Sequence, residues 1–327
     1  MRDGPGPGRR GQGPAFAAPR RARGGGGGVL IALPPAVSGE DRIVRDRAGT
    51  LTVRVAGAGR PLVLLHSINA AASAAEVAPV HEWAQAHFRV YTPDLPGFGR
   101  SERSRRRYMP RLYTDAVHDV LDLVAREQPD APPVHALALS TGAEFLARAA
   151  SERPERFETL TLVTPTGFTR SSDKLREPAG STREIGWLKR LFSVPAIGGN
   201  AYRLLTRPPV IRYFLRRTFG RDEIDETLWR YCCRSVRAPG ASFAPLAFLS
   251  GSLFSRDIRT VYESLGQRVW LPHGTRGDFA DFSGADWARA AGNWTLQAFP
   301  TGAIPWFETP DAFLDGLAEF LGVSEAS

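Results

Sequence analysis

The chain has 327 residues, of which 43% are hydrophobic and 23% charged, with a formal net charge of +8. That is ample for one large α/β domain with an insertion. The charge is regional: residues 1–28 carry +5 and residues 165–265 carry +8, whereas 29–164 balance and 266–327 carry −5. Basicity alone is therefore no argument for nucleic acid, and no RNA- or DNA-binding pattern accompanies it. Cys232 and Cys233 are the only cysteines and are adjacent. No disulfide framework follows from them, and a reducing, cytoplasmic setting fits. No apolar run approaches the ~20 residues of a transmembrane helix.

Residues 1–28 are glycine, proline and arginine with almost nothing to bury, which predicts a disordered tail. The apolar piece after it, residues 29–33, is shorter than the ~7–15 residues of a signal-peptide core and runs into Pro34-Pro35. A tail is expected rather than an export signal. From Arg42 the pattern turns to strands. Arg42–Asp46 and Thr50–Val55 read as a hairpin with Ala48-Gly49 at its turn. Pro61–Leu65 is a continuous apolar run, as in a parallel strand covered on both faces, and ends at His66-Ser67-Ile68-Asn69. A helix over 72–87 and a strand over 88–91 follow, opening into Asp94-Leu95-Pro96-Gly97-Phe98-Gly99-Arg100-Ser101. Tyr108–Glu127 has the spacing of an amphipathic helix.

The next stretch, Val134 to Ala150, reads as a buried strand, a tight turn and a helix, with Ser140 at the turn between Ala138 and Gly142. This is the pattern of a nucleophile elbow, where small neighbours permit a sharp bend that lifts the hydroxyl clear of the sheet. The first small residue is alanine here rather than the usual glycine. After strand 160–163 the alternation stops. Residues 165–265 are helical, aromatic and arginine-rich, broken by Pro195, Gly198-Gly199, Pro208-Pro209 and Pro239-Gly240. They form an expected helical cap, with Trp187, Phe192, Tyr202, Tyr213, Phe214 and Trp229 as its core or, for some of them, as the lining of a pocket beneath it. Arg212, Arg216 and Arg217 read as a solvated helix face. Strands at 269–271 and 295–299 and a helix over 311–321 close the chain, so 29–164 and 266–327 are the two parts of one mostly parallel sheet domain.

In these features the chain resembles capped, single-domain bacterial members of the α/β-hydrolase superfamily, over residues 42–322. His66-Ser67-Ile68 stands for the usual His-Gly-x, and Asp94–Ser101 is close to D-x-x-G-x-G-x-S. Gly302-Ala303-Ile304-Pro305-Trp306-Phe307-Glu308-Thr309-Pro310 matches the closing G-H-x-P-x-x-E-x-P segment. The resemblance implies Ser140 as nucleophile, Asp278 as acid, and the backbone N–H groups of Ile68 and Thr141 as the oxyanion hole. It implies a small-molecule substrate and no cofactor, and no histidine pair has the spacing of a metal site.

One position departs from the pattern. Where the family carries its catalytic histidine the chain has Ala303, and no histidine follows His273. A serine hydroxyl needs a base to take its proton, and the acid serves to orient that base. His273 and His66, both expected at carboxyl ends of strands, are the candidate substitutes. Three readings stay open: hydrolysis of a small apolar ester, thioester or related carbonyl compound; non-catalytic binding of a ligand or partner; and chemistry that needs only the oxyanion hole and a polar serine.

Overall fold

The computed structural model describes residues 33–171 and 176–323; the expected tail at 1–28 lies outside the described residues. Eight strands form one sheet in the order β1-β2-β4-β3-β5-β6-β7-β8. They are β1 (Glu40–Asp46), β2 (Gly49–Ala56), β3 (Pro61–Leu65), β4 (Arg89–Pro93), β5 (Val134–Leu139), β6 (Phe157–Val163), β7 (Arg268–Gly274) and β8 (Trp294–Phe299). β1 and β2 form an antiparallel hairpin, β2 pairs antiparallel with β4, and all later pairings are parallel. Every residue of β3 and β5 is buried, which explains why both read as unbroken apolar runs rather than alternating ones.

Helices cover both faces. α2 (Pro110–Glu127) and α3 (Gly142–Glu152) pack on one side, in a core with Phe145 stacked on Tyr113 at 4.6 Å. α1 (Ala78–Ala84) and the last helix (Pro310–Leu321) pack on the other, around Trp270, Trp306 and Phe313. The expected helix over 72–87 is shorter than its pattern. A 3₁₀ turn at Ala74–Val77 comes first, and α1 starts with Pro79 in its first turn, where a missing N–H is harmless.

Between β6 and β7 the chain leaves the sheet and makes six helices: α4 (Gly186–Ser193), α5 (Pro195–Leu205), α6 (Pro208–Phe219), α7 (Glu226–Ser235), α8 (Phe243–Leu249) and α9 (Ile258–Glu263). Both ends of this excursion are tied to α3. The buried Glu144 carboxylate accepts the Thr166 hydroxyl at one end and the Ser255 N–H, at 3.0 Å, at the other. Burial pushes the Glu144 carboxyl up. One turn further on, Arg148 grips Asp257 through two bonds of 2.7 and 3.1 Å. The aromatic core expected for the cap is partly wrong. Tyr202 is buried, but Trp187 is 68% exposed and Tyr213 and Phe214 are about half exposed. Periodicity marked these side chains as apolar, not which face the cap turns outward.

Candidate active site

Ser140 stands at the turn between β5 and α3. β5 ends at Leu139 and Ser140 takes φ 53°, one of two non-glycine residues with positive φ among the described residues. Such strain persists where the surroundings over-determine it. Here the Ser140 N–H donates to the Val163 carbonyl at 2.8 Å and α3 starts two residues later. Gly142 is required by close approach: a Cβ there would lie 2.5 Å from the His66 carbonyl oxygen. The same contact sets α3's first turn against the 66–68 loop. Ile68 and Thr141 are both 2% exposed, and neither backbone N–H meets an acceptor among the described residues. Two buried, unpaired donors are uncommon in a folded chain.

That loop is fixed by Glu76, a residue for which the sequence held no signal. Its buried carboxylate accepts the Ser67 N–H at 2.8 Å and the Asn69 side-chain amide at 2.6 Å. Trp306 Nε1–H donates to the Glu76 carbonyl at 2.9 Å. The Asp94–Ser101 loop is bound internally. The Asp94 carboxylate accepts N–H groups of Ala74 and Arg100 at 3.0 and 2.8 Å, and Gly99, at φ 49°, leaves no room there for a Cβ.

Ser140 is partly exposed, and its Oγ makes no hydrogen bond among the described residues. Neither candidate histidine is joined to it. His66 Nδ1 lies 2.6 Å from the Ser67 carbonyl while Nε2 accepts the Leu95 N–H at 2.9 Å. This assigns the neutral ring with its proton on Nδ1, and both nitrogens are occupied by backbone. His273 is the last residue but one of β7, one strand beyond the neighbour of β5. Its ring stacks on Phe282 at 4.1 Å and Nδ1 lies 3.2 Å from the Gly274 carbonyl. Burial holds its pKa below the usual imidazole value.

Asp278 meets no histidine either. It lies in the loop after β7, half exposed, and its carboxylate is paired with Arg217 of α6. The pair raises the Arg217 pKa, chiefly through the hydrogen bond from its guanidinium. Position 303 is sealed by the same helix end. The Ala303 N–H donates to the Thr218 carbonyl at 2.8 Å, and Thr164 Oγ1 donates to the Ala303 carbonyl at 2.9 Å. A Cβ on Gly302 would lie 2.4 Å from the Thr218 oxygen. Glu308 completes the corner by accepting the Gly302 N–H at 2.7 Å and pairing with Arg276. Thus α6 ends on the loop that carries Ala303.

Beneath the cap lies a cavity of ≈ 410 Å³, bounded by the Asn69–Ala71 loop and Glu76 on one side and by Ile211, Phe214, Leu215, Cys232 and Phe248 on the other. Arg217 and Asp278 also stand at its mainly apolar wall, whereas Ser140, Ile68 and Thr141 are not among its lining residues. The described residues contain no group of three or more His, Cys, Asp or Glu able to hold a metal ion. Among them no helix is long and apolar enough to cross a membrane.

A mostly parallel sheet covered on both faces, with a strained serine after β5 and a helical excursion after β6, is the arrangement of the α/β-hydrolase fold. The family model of the α/β hydrolase fold matches residues 60–202. Over 290 residues the chain is 24% identical to an uncharacterized protein of Mycobacterium tuberculosis, spanning 83% of this chain and 78% of that one. Among solved structures it is similar to a serine hydrolase involved in carbazole degradation, with TM-score 0.68 and 14% identity over 88% of this chain and 100% of that one. It is also similar to an esterase from Exiguobacterium antarcticum, with TM-score 0.65 and 16% identity over 86% and 98%. A 2-hydroxy-6-oxo-6-phenylhexa-2,4-dienoate hydrolase from Rhodococcus gives TM-score 0.65 and 19% identity over 88% and 100%. The chain has the α/β-hydrolase fold, and the solved proteins similar to it in fold include esterases and hydrolases.

Proposed function

We propose that the chain binds a small, mainly apolar ester, thioester or related carbonyl compound between sheet and cap, with Ser140 as polar anchor. The N–H groups of Ile68 and Thr141 would receive the carbonyl oxygen. One observation carries this reading: the end of α6 occupies the corner at Ala303 and pairs Arg217 with Asp278. The acid has no base to orient, and a serine without a base is a weak nucleophile. The ≈ 410 Å³ volume and apolar lining fit a compact apolar ligand.

A second reading, slow hydrolysis through Ser140, is favoured by the strained φ of 53° and by the two unpaired donors. Triad-deleted serine hydrolases keep roughly 10³–10⁴-fold catalysis over water from the oxyanion hole and binding. A fluorophosphonate probe separates the two. Binding alone predicts no labelling of the wild type, and p-nitrophenyl esters left intact. Labelling lost in Ser140→Ala would replace the binding reading with the hydrolytic one. His273→Ala and His66→Ala then ask whether either ring serves as base.

A further inference from the structure

The cap carries an apolar face that nothing in the described residues covers. On α4, Trp187 and Leu191 fall at i and i+4 and are 68% and 39% exposed, and Val194, the residue between α4 and α5, is 45% exposed. On α5, Ile197 and Leu204 continue the face at 41% and 54%. The two helices meet without a loop, and a Cβ on the buried Gly198 would lie 2.3 Å from the Phe192 carbonyl. They are therefore a single closely packed hairpin. Apolar side chains at helical spacing normally face a core, and a contiguous exposed set marks an interaction site.

Charge says what kind. Residues 183–221 hold nine Lys and Arg against Glu184 alone. Lys189 satisfies Glu184, but Arg190 and Arg207 have no carboxylate partner among the described residues. Among the described residues Arg203 bonds only Asn200 and the Gly199 carbonyl. Arg105 and Arg107, exposed and likewise without an acidic partner among the described residues, share a depression with Lys189 and Ser193 and extend the positive rim. A tryptophan and aliphatic stripe flanked by unneutralised arginines is the composition of a helix that lies in a lipid interface. The apolar face enters the acyl boundary while the long cations reach the headgroups. From this geometry we infer that the α4–α5 face docks the protein onto an anionic membrane surface. Docking leaves the sheet domain in water and puts the cap, with the cavity beneath it, at the lipid boundary.

The test is co-sedimentation of the full chain with vesicles of equal phosphatidylglycerol and phosphatidylcholine, and with phosphatidylcholine alone. The expected result is partitioning at least about tenfold stronger into the anionic vesicles, weakened by salt. Trp187→Ser with Leu191→Ser should lower it about tenfold or more, since both side chains would enter the acyl boundary. Arg190→Glu with Arg203→Glu should remove most of the salt dependence. All four side chains are exposed, so unchanged melting temperatures are expected to show that the variants fold. The basic tail is present in every protein, so it cancels where variants and wild type are compared on the same vesicles, and that comparison decides the face. Equal partitioning into both vesicle types, or variants that bind like wild type, would overturn the inference. So would a wild-type dimer in light scattering that the same variants dissociate, because a second copy would then cover the face.

Discussion

Replacing Ala303 by histidine asks whether the corner closed by α6 is what separates this site from a complete triad. Ala303 is 5% exposed, its N–H and carbonyl are both bonded, and the Thr218–Phe219 backbone lies against the preceding residue. An imidazole there has to be fitted into the packed core that Ala303 shares with Ile304 and Trp306. Overpacking of that kind costs about 1–3 kcal/mol. At ~2–4 °C per kcal/mol, the melting temperature should fall by roughly 2–12 °C. A positioned general base contributes about 10²–10⁴-fold. Because Arg217 still holds Asp278, Ala303→His alone should realise little of that, about tenfold or less in p-nitrophenyl acetate hydrolysis. Adding Arg217→Ala releases the carboxylate and should raise the rate by at least a further ~10-fold, the two changes being more than additive. Differential scanning fluorimetry and initial rates on the four proteins of this cycle decide it. Ala303→His with no loss of stability and the full rate of the double variant would refute the account of a corner sealed by the cap.

Two further outcomes follow from buried charge. His81 and His135 are buried, each bonded to a threonine hydroxyl at 2.8 Å, and burial pushes both pKa values down to about 4. In the unfolded chain they titrate near 6.5, so between about pH 6.5 and 4 the unfolded state binds more protons. The stability is present above 6.5 and is lost as pH falls through that window. From pH 7 to pH 5 the loss should be on the order of 2 kcal/mol per ring, and His135→Gln should remove about half of the combined shift in the urea midpoint. Equal wild-type midpoints at the two pH values would contradict it. Arg148→Leu strands the Asp257 carboxylate, whose side chain is 4% exposed. Stripping one partner from a buried pair costs about 3–5 kcal/mol. Limited proteolysis should then cut first within 176–256, and cleavage spread evenly over the chain would tell against a pinned cap.

The parts of the fold set by local pattern were legible. Continuous apolar runs marked β3 and β5, and the small residues around Ser140 marked the turn because the constraint there is steric and short-range. The loop from Asp94 to Ser101 was equally readable, since its carboxylate bonds within six residues and to a turn packed beside it. What escaped depends on pairings across long separations. Arg217 and Asp278 lie 61 positions apart, and nothing near either forecasts the other. The two histidines judged by strand position were read for place but not for partners: Leu95 and Ser67 take both nitrogens of His66. The cap misled in the same way, because a helix records an apolar stripe in sequence without recording what, if anything, lies against it.

The attachment of the cap to α3 has a consequence for how such a chain can change. Thr166 and Ser255 meet at the two oxygens of a single carboxylate, so the excursion departs and returns at one spot on one helix. Everything between those residues is a cassette with adjoining ends. Segments of different length or packing can be exchanged there without moving the strand register or the bend at Ser140. What such an exchange alters is the cavity wall and the corner at Ala303. In this architecture the loss or regain of chemistry is therefore separable from the stability of the sheet, and the present cap is one insert among those the same seam could accept.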